Sequence, residues 1–599
     1  MSFKKYLGRV LYFSLPITLI VSIEIFKRGS LQEAVQWIFD KPFHLISTYI
    51  LVLCIQSCFF IFTKNIYIVC LNSVTFFAIW ASVDSEKLKI LNEPLLPWDL
   101  FFIKQLVSLM PVIYKELNLL LVIAVFTIYL GLIFLLIKKV DSSYHQLNRR
   151  IVVTGLSIIA IFFICHFKDN FIGRFFSEKN IEIVEWDQKI NQSSNGLVLG
   201  FFLNIPSVLI DKPQNYNAAT ITDIVHEHEE NRIQQGISSE KPNIVIIMSE
   251  AFWDVGNLSK EIVKENYIPN VHKLQVGNIV SPQFGGGTAN VEFEVLTGLS
   301  TNLLPAGSIP YQQYVKKSTP SLASVLADEG YRPIAIHTYF KWFWNREKVY
   351  EYFDFDKFTS VTEMPDAQNK GLYVGDNEIT KEIIKEIEEN EEPVFIYAVT
   401  MQNHGSYYDD RYGETTIQVP GKYNEETQKT LNTYTSGLID ADKALGDLVD
   451  YLQSSAESTI VVFFGDHLPL LGAKYKAYID TGYLDSVENW SLYDKLKMKE
   501  TPLVMWNNFE KENKQLGSIS ASFLGAEILE MANIQKPVLF NFINDFSKKL
   551  PVYTAAVKQT ADGELTEDTR ENLKALEEQY KLLQYDILFG ESYFQSSIN

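Results

Sequence analysis

Four apolar runs of strand length in the second half of the chain each end on side chains able to bind a ligand or carry a proton. Residues 243–248 (NIVIIM) lead into Ser249-Glu250, and residues 333–336 lead into His337. Residues 393–399 (PVFIYAV) lead to Gln402-Asn403-His404, and residues 459–464 (TIVVFF) lead to Gly465-Asp466-His467. In open α/β sheets, ligands bind beyond the carboxyl ends of the strands. Any one of these residues alone is accounted for by packing. Four such ends together, using three of the nine histidines in the chain, point to one shared site.

A candidate nucleophile lies in the segment Phe284-Gly-Gly-Gly-Thr288-Ala-Asn290-Val-Glu292-Phe-Glu294. Three glycines let the backbone approach a ligand closely, and the apolar spacing after Thr288 predicts a helix that starts there. A helix N-terminus favours an anion such as phosphate. A simple capping residue would look the same, so the motif alone leaves both roles open. A threonine hydroxyl is a poor nucleophile at neutral pH and needs a metal to lower its pKa. Arg346, in Phe343-Trp344-Asn345-Arg346, can grip phosphate oxygens in a fork. It can equally be a snorkelling arginine on an aromatic surface beside Tyr350 and Phe353.

The elements that must position these groups follow from the same pattern. Continuous apolar runs belong to strands buried on both faces, and helical stretches at 379–390 and 433–453 fall between them. The reading is a layered α/β domain over residues 240–545, with a helical tail over 546–599 packing on it. Residues 1–168 differ in kind: they carry a net charge of +7, against −26 for the remainder. An apolar, mildly basic front joined to an acidic back excludes a single soluble domain and argues against nucleic-acid binding. No nucleotide-binding fingerprint is present. All four cysteines (Cys54, Cys58, Cys70 and Cys165) lie in the front, which excludes a thiolate zinc site or a disulfide framework in the back.

Five apolar stretches, near 10–26, 44–63, 66–83, 117–137 and 151–167, are of bilayer-spanning length. Lysines and arginines at the N-terminus and in the 138–150 loop place both on the cytoplasmic side, so an odd number of spans puts the acidic domain outside the cell. Glu24 near the end of the first span is explained by a position close to the interface. Residues 84–116 read as an interfacial helix anchored by Trp98, or as a surface where lipid substrate or the outer domain docks. Residues 169–239 read as a connector.

The ordered set Ser249-Glu250, GGGTANVEFE, His337 with Phe343-Trp344-Asn345-Arg346, Asn403-His404 and Gly465-Asp466-His467 resembles lipoteichoic acid synthases and their relatives. These are membrane-anchored members of the sulfatase and alkaline phosphatase superfamily. The resemblance covers nearly the whole chain. It implies a sulfatase-like α/β domain outside the cell, a metal site of Glu250, Thr288, Asp466 and His467, and Thr288 as nucleophile. It also implies that His337, Trp344, Arg346 and His404 contact phosphoglycerol. The implied metal is Mn²⁺, with Mg²⁺ also plausible; oxygen and imidazole donors without thiolate fit a hard divalent ion. The sulfatase C/S-x-P-x-R motif is absent, which argues against sulfate ester hydrolysis. Tyr339 stands where lipoteichoic acid synthases have an aspartate, which leaves the acceptor open.

The function expected is transfer of glycerophosphate from phosphatidylglycerol, through a covalent intermediate on Thr288, to a cell-envelope acceptor. The acceptor is a glycolipid or growing polyglycerolphosphate, as in lipoteichoic acid synthesis, or a surface glycan. A metal-dependent phosphodiesterase, with water as acceptor, uses the same first step.

Overall fold

The computed structural model describes residues 3–91, 94–102, 127, 129–136, 147–167, 170–181, 188–208, 210–230, 241–259, 262, 266–405, 407–413, 423–472, 475–486, 490–510 and 514–598. The chain divides into two compact units, Met1–Asp211 with Pro305–Gly307, and Lys212–Leu304 with Ser308–Asn599.

In the first unit, four described helices are long and apolar enough to cross a membrane: Tyr6–Arg28, Pro42–Ile61, Ile66–Leu88 and Leu147–Cys165. They coincide with four of the five expected spans. The fifth, 117–137, lies outside the described residues apart from a helical 127 and 129–136. Large apolar side chains such as Phe13, Ile79, Ile159 and Phe162 are exposed on these helices, as a lipid-facing surface requires. The buried carboxylates Glu24 and Asp84 of this unit are paired. Glu24 is buried and accepts from Arg28 Nε at 3.0 Å. Buried Asp84 pairs with Lys27 and accepts from Gln192 Nε2 at 2.8 Å. Trp98 is buried, not displayed, with its indole N–H on the Gly307 carbonyl at 3.1 Å. Residues 103–116 of that segment lie outside the described set.

The second unit is built on one eight-stranded sheet of β1 (Asn243–Ser249), β2 (Gln275–Val280), β3 (Arg332–His337), β4 (Lys357–Ser360), β5 (Val394–Val399), β6 (Thr459–Gly465), β7 (Glu500–Asn507) and β8 (Gly517–Ser520). The strand order is β8-β2-β7-β6-β1-β5-β3-β4. Every pairing is parallel except those of β7 with β2 and β6. The four strands legible in the sequence form the contiguous central set β6-β1-β5-β3, and every residue of β1, β5 and β6 is buried. Between-strand helices include α1 (Thr288–Thr297) and α2 (Arg346–Tyr352).

The tail is not helical throughout. Three short antiparallel strands, Val552–Tyr553, Lys558–Gln559 and Leu565–Thr566, come first, turning at Asp562-Gly563, where Gly563 has φ +86°. Only then does α3 (Lys574–Leu588) begin. Its buried face meets the end of α1. The Tyr580 hydroxyl donates to the Gly298 carbonyl, and the Gln584 amide both accepts from Ser300 N (2.8 Å) and donates to Ser300 O (3.0 Å). Gly298 itself has φ +68°, and a Cβ there would lie 2.3 Å from Ile543 Cδ1. Only glycine fits that helix terminus.

Candidate functional site

Strand register brings the site together. β1 and β6 run parallel with Ser249 opposite Gly465, so Glu250 and Asp466 emerge side by side. A Cβ on Gly465 would stand 1.9 Å from the Phe252 carbonyl oxygen, so the two chain ends are this close only because residue 465 is glycine. Ala251 takes a left-handed φ of +50°, which turns its N–H onto Asp466 Oδ1 at 2.7 Å. His467 N donates to the same oxygen at 2.9 Å. Asp466 Oδ1 is thereby used up, and Oδ2 is left free.

One donor atom each from Glu250, Asp466 and His467 lie within 4.8 Å of one another, and all three residues are buried. His467 Nε2 is 3.4 Å from Asp466 Oδ2 and 3.8 Å from Glu250 Oε1. Glu250 Oε2, Asp466 Oδ2 and His467 Nε2 have no hydrogen-bond partner. Buried polar atoms are ordinarily satisfied, so an orphan atom on each of three clustered residues fits a hard divalent cation held by oxygen and imidazole. The electrostatics agree. Burial first, and then the Asp466 charge, push the Glu250 carboxyl up to about 8. Two carboxylates this close repel unless a cation lies between them.

The glycine loop is stitched to the same place. Gly285 N donates to Leu468 O at 3.0 Å, and Ser281 Oγ donates to Asp466 O at 2.5 Å. Residues 285, 286 and 287 all have positive φ, and Gly287 serves as N-cap of α1 with no side-chain cap bond. Thr288 is the first helical residue, not the cap, so its hydroxyl is not spent on capping. All ten residues of α1 are buried.

The histidines share one arrangement. Nδ1 of His467, His337 and His404 faces the carbonyl of Leu468 (2.9 Å), Val399 (3.0 Å) and Gly405 (2.8 Å), respectively. A carbonyl only accepts, so Nδ1 carries a proton in each, which directs Nε2 toward the site. His337 Nε2 is buried without a partner. Burial, and then the Arg346 charge, hold His337 well below the ordinary histidine range; burial lowers His404 as well. Both are neutral imidazoles at neutral pH. Tyr339 packs on the edges of Phe340 and Phe343.

Arg346 is 1% exposed and tied to Glu292 of α1, with Nε 3.0 and 3.2 Å from the two carboxylate oxygens and Nη2 also on Oε1. The forked edge expected to grip phosphate is therefore occupied by Glu292. Nη1 carries one long bond, 3.4 Å to the Phe343 carbonyl. The Arg346 charge still reaches Glu250 and His337. Before it, buried Trp344 (φ +58°) and Asn345 (φ +63°) are both left-handed. Sequence reasoning passed over Glu292, although a carboxylate four residues after Thr288 in an otherwise buried helix signals a buried cationic partner.

Residues 242–534 match the sulfatase family. A putative cyclic beta-1,2-glucan modification protein of Rhizobium meliloti is 35% identical over 524 residues, covering 86% of this chain and 81% of that protein. The lipoteichoic acid synthase of Staphylococcus saprophyticus is 27% identical over 247 residues, 38% of this chain and 36% of the relative. Among solved structures, the Streptococcus pyogenes phosphoglycerol transferase GacH in complex with sn-glycerol-1-phosphate has a TM-score of 0.54. It is 24% identical and covers 65% of this chain and 97% of that one, which shows a shared fold.

Proposed function

We propose, for a chain that belongs to the lipoteichoic acid synthase-like family of sulfatase-superfamily phosphoglycerol transferases, that it moves glycerophosphate from phosphatidylglycerol onto a glycan outside the membrane. The observation that carries the chemistry is the cluster of unpartnered Glu250 Oε2, Asp466 Oδ2 and His467 Nε2, to whose strand end the glycine loop before Thr288 is bonded. The glycan acceptor is supported by the glucan modification protein, which aligns along most of both chains.

Glu250, Asp466 and His467, with the Thr288 hydroxyl, would hold a divalent cation such as Mn²⁺ or Mg²⁺. When bound, it supplies the positive charge that lowers the hydroxyl pKa. The chain's own groups do the rest. Gly286, Gly287 and the start of α1 would offer backbone N–H groups to the phosphate. Thr288 Oγ1 gives up its proton and attacks phosphorus, the bond to the diacylglycerol oxygen breaks, and that oxygen takes up a proton as diacylglycerol leaves. Glycerophosphate stays on Thr288. An acceptor hydroxyl then attacks the same phosphorus, loses its proton and frees the threonine. The Nε2 lone pairs of neutral His337 and His404 suit proton acceptance in that second step. One phosphodiester is exchanged for another of similar energy, so no nucleotide is needed.

Polyglycerolphosphate as acceptor is a second reading, supported by the aligned lipoteichoic acid synthase. The test uses full-length protein with Mn²⁺ in vesicles of phosphatidylglycerol that carries a fluorescent acyl chain and a radiolabelled glycerol head group, with β-glucan or glycerol phosphate oligomers added. Release of diacylglycerol by wild type but not by Thr288→Ala, with label appearing on glucan, is the expected result. Release from both proteins would sink the nucleophile assignment. Label appearing only on the oligomers would favour the second acceptor.

A further inference from the structure

The ion pair between α1 and α2 has no part in the scheme above, yet it is among the most buried charge arrangements in the second unit. Glu292 is 0% exposed and Arg346 is 1% exposed. The carboxylate takes Nε and Nη2 on one side and the Tyr350 hydroxyl, at 2.7 Å, on the other. Glu292 lies four residues after Thr288, one helical turn along the same face. Arg346 directly follows two consecutive left-handed residues, Trp344 and Asn345. A bulky residue in that region is strained and persists only where its surroundings over-determine it. Here the surroundings are the Glu292 clamp and the Asn345 N–H on the Trp342 carbonyl at 2.9 Å.

We propose that Glu292 is a positioning residue. By occupying the forked edge of Arg346 it fixes the guanidinium and the strained turn before it, so that Nη1 and Trp344 are aimed from the helix that carries the nucleophile. The geometry of Thr288 and the geometry of the phosphate-facing loop are thus set by one helix, and a shift of one moves the other. This rests on reading Thr288 as nucleophile and on the contact with phosphoglycerol expected for Trp344 and Arg346.

The test is diacylglycerol release from fluorescent phosphatidylglycerol by the full-length protein, with thermal melts to fix the folded fraction at the assay temperature. Glu292→Gln, which keeps shape but not charge, is expected to lower kcat/KM at least 30-fold. Glu292→Asp, which keeps charge but loses a methylene, should stay within tenfold of wild type. A packing role would reverse that order. In an Arg346→Gln background, Glu292→Gln should change activity less than twofold, because the carboxylate acts through the arginine. If Glu292→Gln fails to fold, Glu292→Asp decides alone: a folded Asp variant more than tenfold below wild type overturns the proposal. A folded Glu292→Gln within threefold of wild type overturns the proposal, as does a further tenfold loss in the Arg346→Gln background. Activity in Thr288→Ala would instead overturn the nucleophile reading on which the proposal stands.

Discussion

Removing the charge of Glu250 is expected to stabilise the metal-free protein while abolishing its function. Glu250 ordinarily titrates near 4.5, and burial together with Asp466 pushes it up to about 8. The folded protein therefore holds a proton that the unfolded chain releases above about pH 4.5. Stability falls as pH rises wherever the native state binds more protons, so the penalty grows from about pH 4.5 and levels off only above about pH 8. One pKa unit corresponds to about 1.4 kcal/mol. Between pH 5.5 and 7.5 this one group therefore costs about 3 kcal/mol. With about 2.1 cal/mol/K of unfolding entropy per residue, a unit of roughly 400 residues shifts by about 1 °C per kcal/mol. Glutamine carries no such term. The assay is thermal melting of wild type and Glu250→Gln in EDTA across that pH range. Their difference, in which other titrating groups cancel, should widen by about 3 °C in favour of the variant. Mn²⁺ should then raise the wild-type melting temperature more than the variant's, because only the wild type keeps the full ligand set. A difference that stays flat with pH would refute the reasoning, since the carboxyl would then be ionised in the folded state without its cation.

Further expectations follow from neighbouring contacts. Asp466→Asn keeps an oxygen for the Ala251 and His467 N–H groups but turns an amide toward the cation, so the fold should persist while Mn²⁺ affinity, measured by calorimetry, drops at least 100-fold. Gly465→Ala drives a Cβ into the Phe252 carbonyl and should cost about 3 kcal/mol or more in melting experiments, with loss of bound metal. Gln584→Ala leaves the buried Ser300 N–H unpaired, while the Ser300 carbonyl keeps Leu303 N, and should cost about 1–3 kcal/mol; a change below 0.5 kcal/mol in denaturant titration would contradict it. Thr288→Ser should retain measurable diacylglycerol release, whereas Thr288→Ala should retain none.

Much of the site could be read from the chain because strand ends are local signals. A run such as TIVVFF followed by Gly-Asp-His states both the element and what it delivers, and parallel register did the rest by placing Ser249 opposite Gly465. β7 was harder to read: residues 500–507 (ETPLVMWN) open on polar residues and Pro502, and the strand is held antiparallel by neighbours distant in sequence. The tail sheet consists of strands two residues long, too short to show any alternation. Thr288 looked like a cap because nothing local says which residue adopts the cap conformation; Gly287 does. The partner of Arg346 was illegible because Glu292 lies 54 residues away, and a forked arginine awaiting phosphate has the same sequence as one already holding a carboxylate.

The bonds from α3 to the end of α1 also bear on the order in which the unit is assembled. Tyr580 and Gln584 reach back 282 and 284 residues to Gly298 and Ser300. A polypeptide is made from its N-terminus, so Glu250, Thr288, Asp466 and His467 all exist before the helix that secures the nucleophile's own helix has been synthesised. A chain that stalls or is clipped ahead of Tyr580 carries every reactive group and leaves α1 unfastened at its far end. The fastening of α1 at Gly298 and Ser300 is therefore completed only after the strand ends that carry Glu250, Asp466 and His467 have been made.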